Sequence, residues 1–408
     1  MLRYTDYTLW IAVAISIILG ALLIFSSTAS MQERMGMDPS LFLKRHLFAL
    51  IIAFAGLLIA MYVDYKHLKG IAIVLYSLTL IILALTLFLG IKGGGAQRWL
   101  TLGPLSLQPS ELTKLTIIIS LAAYLDKNRD KLFDLIHLLP TFVLVGIPFT
   151  LIFRQPDLGT SLVLIGISFG MLAFSGAKPI LLLFLFSPIL SIFFHSNIFF
   201  FIFYLVVIGI AMHVFKFKIF DSIAILSANI GIGYLGPYLW GMLKEYQKLR
   251  ILTFLNPALD PRGAGYHTLQ AKIAVGSGGF FGKGLFHGTQ TQLQFIPKQY
   301  TDFIFSVVGE EMGFLGGTLI LAIFLIIIWR SVRIAMNARN PFGSLLAGGI
   351  AAMFTFHLVV NVGMTLGLLP VVGIPFPFLS FGGTSLFINL MAIGILQSIS
   401  MRRQKLLF

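Results

Sequence analysis

The run Tyr300-Thr301-Asp302-Phe303-Ile304-Phe305 sets a carboxylate where a long polar connection turns into an apolar stretch. Two readings are open. Asp302 caps the first turn of the helix that follows, whose free N–H groups favour an anion. Alternatively, it works as a general base at a membrane–water boundary, where partial burial lifts a carboxylate from a pKa of about 3.9 towards a useful range. Glu310 and Glu311 lie deeper, roughly 12 Å along a helix at about 1.5 Å per residue. Asp302, Ser306 and Glu310 fall near one helix face, and Glu311 points elsewhere. Acids at membrane depth are costly, so each is functional, paired structurally with a lysine or backbone groups, or simply protonated.

Other reactive residue types stand in loops or at helix starts. Gln108-Pro109-Ser110-Glu111-Leu112-Thr113-Lys114 opens a helix with proline in its first turn. Glu111 and Lys114 are i,i+3 neighbours, placed for an ion pair or a site. Upstream, Gly93-Gly94-Gly95-Ala96-Gln97-Arg98-Trp99 offers an interfacial tryptophan beside an arginine able to grip a phosphate through two N–H groups. Arg154-Gln155-Pro156-Asp157-Leu158-Gly159-Thr160 reads as a tight turn, with Asp157 as a helix cap and Arg154 facing a shared anionic cleft. Lys298 adds a cation four residues before Asp302. His357 and Asn361, one helical turn apart, read as interhelical glue rather than catalysts. The stretch 373–385 is a Gly/Pro-rich breaker that survives near a membrane only under cover of protein or water. No P-loop, HExxH, GxSxG or paired metal-ligand histidines occur, and there is no cysteine, so thiol chemistry is excluded.

Positioning these groups falls to helices in lipid. The 408 residues are 58% hydrophobic and 11% charged, too apolar for a soluble surface. With a ruler of about 20 apolar residues per span, twelve helices are expected near 8–29, 46–63, 68–90, 111–125, 138–153, 158–175, 179–195, 198–215, 219–242, 303–330, 343–367 and 381–400. The first reads as a span, being too long for a signal-peptide core. The seventh and eighth read as a hairpin. Residues 1–408 form one transmembrane domain, an all-α polytopic bundle, with a long extracytoplasmic loop over 243–302. Dense short clusters of Lys and Arg on the terminal side place both termini in the cytoplasm. Net charge +14 suits anionic headgroups or an anionic substrate.

Taken in order, these motifs resemble the SEDS family (shape, elongation, division and sporulation) of peptidoglycan glycosyltransferases, on its rod-shape branch. The resemblance rests on 95–99, 108–111, 154–160, Arg250-Ile251-Leu252-Thr253-Phe254-Leu255-Asn256-Pro257, 276–284, 295–303 and 375–385. The run Gly288-Thr289-Gln290-Thr291-Gln292-Leu293 is similar to the elongation rather than the division branch. Membership implies polymerisation of lipid II into glycan strands at the outer face of the bacterial cytoplasmic membrane. It implies Asp302 as the essential aspartate and Trp99 as the tryptophan of the first large outer loop. It also implies a divalent cation, Mg or Mn, and partnership with a class B penicillin-binding protein and elongation-complex membrane proteins; no nucleic acid is involved. Family members typically have ten spans, so the two extra are expected within 179–242.

The chemistry expected is inverting attack of a sugar hydroxyl on a lipid-diphosphate-linked donor. Asp302 is the base, and Arg98, Lys114, Arg154 and Lys298 are the cations; Trp99, Glu111 and Asp157 complete the binding set. Diphosphate needs charge neutralisation more than a proton, so one carboxylate suffices where glycosidases use two. The rival reading is a flippase of the same lipid-linked precursor. A transporter places its polar site at the midplane between broken helices, whereas these motifs concentrate at one surface.

Overall fold

The computed structural model describes residues 4–93, 96–102, 105–131, 135–256, 264–296 and 298–403. All twelve expected segments are helical. They are α1 (Tyr7–Arg34), α2 (Leu41–Tyr62), α3 (Tyr65–Leu89), α4 (Pro109–Lys127), α5 (Leu135–Arg154), α6 (Leu158–Phe174), α7 (Pro179–Phe194), α8 (Ile198–Val214), α9 (Ile219–Met242), α13 (Ile304–Met336), α14 (Pro341–Thr365) and α15 (Gly383–Met401). Between α9 and α13 lie three more, α10 (Glu245–Leu255), α11 (Ala264–Ser277) and α12 (Thr289–Leu293). Among the described residues, eight helices are long and apolar enough to cross a membrane; α6, α7 and α8 are apolar but shorter. α4 is polar for a span because Glu111, Lys114, Asp126 and Lys127 lie on it.

Lipid-facing and central helices separate by burial. Of the most apolar stretch of α15, 83% is buried, and 72% of that of α14, against 22% for α2 and α3. α15 packs chiefly on α2, and α14 on α13, α6 and α4. Tyr4 accepts from Ser400 Oγ and Asp6 exchanges hydrogen bonds with Gln397, so the two ends of the chain meet at one face.

The expected α7–α8 hairpin is a three-helix group. α7 packs mainly on α9. Asn229 of α9 donates to Ser187 Oγ of α7, while Tyr204 of α8 donates to Ser187 O. Polar side chains tie helices together in lipid, where no hydrophobic force does so.

Two connections depart from plain loops. Three strands, β1 (Ile91–Gly93), β2 (Ala96–Leu102) and β3 (Leu105–Leu107), pair antiparallel in the order β1-β2-β3, with Ile91 opposite Trp99 and Leu100 opposite Leu107. Strands of three to seven residues carry too little alternation to stand out from a Gly-rich loop. The glycines of this stretch at 94 and 95 lie outside the described residues, as do Pro257 and Pro297.

The second departure is in α13, broken at Gly313, whose φ of +66° and ψ of −162° leave the helix. The glycine cluster 276–284 fills the break. Lys283 N donates to Glu310 O and Gly284 N to Glu311 O, while Phe314 N and Leu315 N donate to Gly279 O and Phe280 O. Main-chain groups freed by the break are thereby paired, as a low-dielectric setting demands. A Cβ on Gly278 would stand 1.9 Å from Gly309 O, so only glycine lets the chains approach.

Candidate active site

On the face opposite the termini, the first turns of α2 and residues around Trp99, Leu107, Asp157, Arg250, Tyr300 and Gly373 line a cavity of about 1480 Å³. It holds seven cations, Lys44, Arg45, Arg98, Lys114, Lys244, Arg250 and Lys298, against three carboxylates, Glu111, Asp157 and Asp302. Such a surplus selects an anionic ligand.

Asp302 does not cap α13. Phe303 occupies the cap position, without a side-chain cap bond. The Asp302 carbonyl accepts from Asn361 Nδ2 at 2.9 Å, and the same amide donates to Ile374 O at 2.7 Å. Ser380 Oγ donates to Thr301 O and Phe381 N to Tyr300 O, so the breaker is laced along 300–302. Asn361 thus acts as the glue expected of it. The fixed backbone aims the Asp302 carboxylate into the cavity, beside Gly373, where a Cβ would come within 3.2 Å of Oδ2 and φ is +74°. Burial pushes this carboxyl above the usual range. Lys298, Arg250 and Arg98 oppose the rise and Asp157 adds to it.

The other candidates divide. Glu111 and Lys114 form a buried ion pair at 2.6 Å on the cavity wall. Lys114 Nζ also donates to His357 Nε2 at 3.1 Å, a ring oriented by its Nδ1–H bond to Met353 O. Asp157 is the N-cap of α6, accepting from Thr160 N, Thr160 Oγ1, Gln108 Nε2 and Ser110 Oγ. Arg98 Nε donates to Gln155 O at 3.1 Å, its Nη2 to Pro156 O, and its Nη1 lies 3.8 Å from Asp157. This guanidinium is therefore largely spent on the 155–157 turn, though its edge lines the cavity with Trp99. Lys298 lines it with an exposed side chain. Arg154, in contrast, is exposed at the end of α5 and is not part of the lining, because the turn after it points Asp157, not Arg154, inward.

The chain belongs to the FtsW/RodA/SpoVE family of cell cycle proteins. The family's sequence pattern matches residues 6–203 and 194–405, two stretches that overlap across the α7–α8 connection. The chain is 37% identical over 384 residues to the probable peptidoglycan glycosyltransferase FtsW of Trichlorobacter lovleyi, covering 93% of this chain and 89% of that protein. It is 36% identical over 340 residues to the peptidoglycan glycosyltransferase MrdB of Escherichia coli, covering 83% and 80%. Among solved structures it resembles a chain of a peptidoglycan synthase complex that coordinates polymerization and crosslinking (TM-score 0.72, 27% identity, 98% and 99% covered). It also resembles the rod shape determining protein RodA of Thermus thermophilus (TM-score 0.64, 25% identity, 98% of each).

Within this SEDS protein, sequence reasoning missed the cavity contributions of α2 and underweighted α10. Lys44, Arg45 and His46 enter from the first turns of α2, and Lys244 and Arg250 from α10 and its cap. A basic pair before an apolar run reads as membrane anchoring, which hid the first two. His46 is 1% exposed, and its ring nitrogens have no hydrogen-bond partner among the described residues. Glu310 and Glu311 do not line the cavity. Glu310 accepts from Lys283 Nζ, Thr289 Oγ1, Gln290 N, Thr291 N and Thr291 Oγ1, all at 2.7–3.1 Å. Glu311 accepts from Ser26 Oγ. Both acids are structural.

For a divalent ion the protein offers little. No group of three or more metal-ligating side chains occurs among the described residues. Glu111 and Asp157 are held by Lys114 and by the α6 cap, which leaves Asp302 as the lining carboxylate open to a ligand. These residues do not make a resident metal site.

Proposed function

We infer that this multi-pass membrane protein is a peptidoglycan glycosyltransferase that polymerises lipid II into glycan strands. The observation that carries the reading is Asp302, a carboxylate without side-chain capping duty, aimed into a cation-rich cavity at one membrane face. The family relationship supplies the reaction class.

In this mechanism Asp302 takes the proton of the acceptor lipid II sugar 4-hydroxyl. The oxygen attacks the anomeric carbon of the lipid-diphosphate-linked strand, the bond to diphosphate breaks, and configuration inverts. A raised pKa makes Asp302 a stronger base once ionised. Lys298 and Arg250 face the diphosphate and neutralise its growing charge. Arg98 acts by holding the 155–157 turn. No step is routed through a divalent ion; any ion taking part arrives on the substrate's phosphates, the usual habit of Mg²⁺.

The cavity face is extracytoplasmic and both termini are cytoplasmic, in keeping with a lipid-linked substrate presented at the outer face. The cross-linking partner is a class B penicillin-binding protein, as the likeness to the synthase-complex chain suggests, and the elongation complex is its setting. Against transport stands the cavity floor. Phe378 O lies so close to Gly20, midway along α1, that a Cβ there would be 2.4 Å away. Next along the chain from the lining residue Pro375, Phe376 and Phe378 pack with Phe324 and Phe354, all buried. Such apolar rings offer a polar headgroup no hydrogen-bond partner.

The test is lipid II polymerisation by purified full-length protein, with and without its cross-linking partner and with divalent metal or chelator. Strands from wild type and none from Asp302→Asn support the reading. Absence of strands in every condition, with lipid II flipping in vesicles, overturns it.

A further inference from the structure

A second cavity, of about 460 Å³, lies at the opposite face, where the two ends of the chain meet. Asp6 and Arg330 line it together with Arg333, Asn337, Ile334, Ser400 and Arg403. Its size falls in the range of ligand sites, roughly 300–1,000 Å³. The glycosyltransferase reading makes no use of it.

Its charges are unequal. Asp6 caps α1 by accepting from Leu9 N and is gripped through both oxygens by Arg330, at 2.5–3.0 Å. That pair is neutral and rigid. Arg333 and Arg403 are exposed and make no side-chain hydrogen bond or ion pair among the described residues. Among the described residues the cavity thus keeps two guanidiniums without a paired acid, one from the last turn of α13 and one just past α15. Paired guanidiniums match phosphate oxygens in geometry as well as charge.

Trp329 indicates where the ligand comes from. It is 54% exposed on α13, with Arg330 at 5.3 Å and Arg333 at 5.4 Å from its ring centre. Tryptophans sit at headgroup level, so the rim of the cavity opens to the lipid surface and not to bulk water alone. Basic residues at such a depth attract anionic lipid.

We propose that this cavity binds a phosphate ester through Arg333 and Arg403, with an anionic phospholipid headgroup as its source. Arg330 and Asp6 form the wall, and Trp329 contacts the glycerol and upper acyl chain. Asp302 immediately precedes α13, and Arg330 and Arg333 lie near its other end.

Full-length protein in detergent is titrated with phosphatidylglycerol, phosphatidylcholine or glycerol phosphate. Binding is read by native mass spectrometry and thermal unfolding. Phosphatidylglycerol should bind saturably and raise the melting temperature, and phosphatidylcholine should not. Arg333→Ala with Arg403→Ala should weaken that binding at least about tenfold, given the usual contribution of each basic residue near anionic lipid. A control losing equal charge on the same face, Lys127→Ala with Arg129→Ala, should bind as wild type. Glycerol phosphate matching the lipid would keep the phosphate site but make its source a soluble ester. Equal binding of the two lipids, undiminished binding by the double variant, or no saturable binding at all overturns the proposal.

Discussion

Asp302 and Glu310 are eight residues apart at the start of one helix, and they do opposite work. Asp302 faces a cavity of cations with no donor committed to its carboxylate among the bonds that fix its neighbours. Glu310 is fully buried and saturated by five donors from the loop and α12. Burial alone therefore does not mark a reactive acid. Its donors do: an acid whose lone pairs are filled is a fastener, and one left open among cations is available for proton transfer.

The contrast breaks most sharply at Asp302. Asp302→Asn should lower polymerisation by at least about a hundredfold, the usual share of a general base, without moving the thermal unfolding midpoint. A stable variant with substantial activity would remove Asp302 from the base role. Glu310→Ala should do the reverse. It removes the charge partner of Lys283 and strips five hydrogen bonds, so a loss of about 3–5 kcal/mol is expected, seen as a lower melting temperature and poorer membrane yield. Unchanged stability would show that the loop is held by other means.

A finer test uses pH. Asp302 must be ionised to act, and its pKa is raised, so activity should fall on the acid side through a value above the usual carboxylate range of about 4. Lys298 and Arg250 hold that pKa down. Lys298→Ala or Arg250→Ala should carry the acid limb to higher pH and, where the diphosphate contact is lost, slow the reaction on the order of a hundredfold. An acid limb that stays put or moves down would separate these cations from Asp302. The smallest effect belongs to Arg154→Ala, expected within about 0.5 kcal/mol in stability and near wild type in rate; a large loss of activity would return Arg154 to the site.

Much of this was legible in the sequence, for identifiable reasons. Apolar length located all twelve helices, because lipid allows few alternatives to a helix with internally paired backbone. Asp302, Glu111, Lys114 and Asp157 stand out in the sequence because polar residues crowd the helix starts on one face, and Trp99 and Lys298 because they lie in the connections beside them; all six line the cavity. Arg154 was misplaced because adjacency in a turn does not fix direction: Pro156 reverses the chain between it and Asp157. His46 and the α2 cations escaped notice because tertiary packing, not local pattern, turns that helix end towards the cavity. The partner of Glu310 was likewise invisible, Lys283 lying 27 residues away in a loop.

The splice at the α13 break carries a lesson for mutational mapping. Its bonds run between main-chain atoms, and its decisive residues contribute nothing that can be cut away. A scan that truncates side chains to alanine would find most of this loop silent, yet at Gly278 the same replacement adds an atom where the opposing carbonyl already stands. Such a joint is encoded by empty space, and only substitutions that enlarge a residue will reveal it.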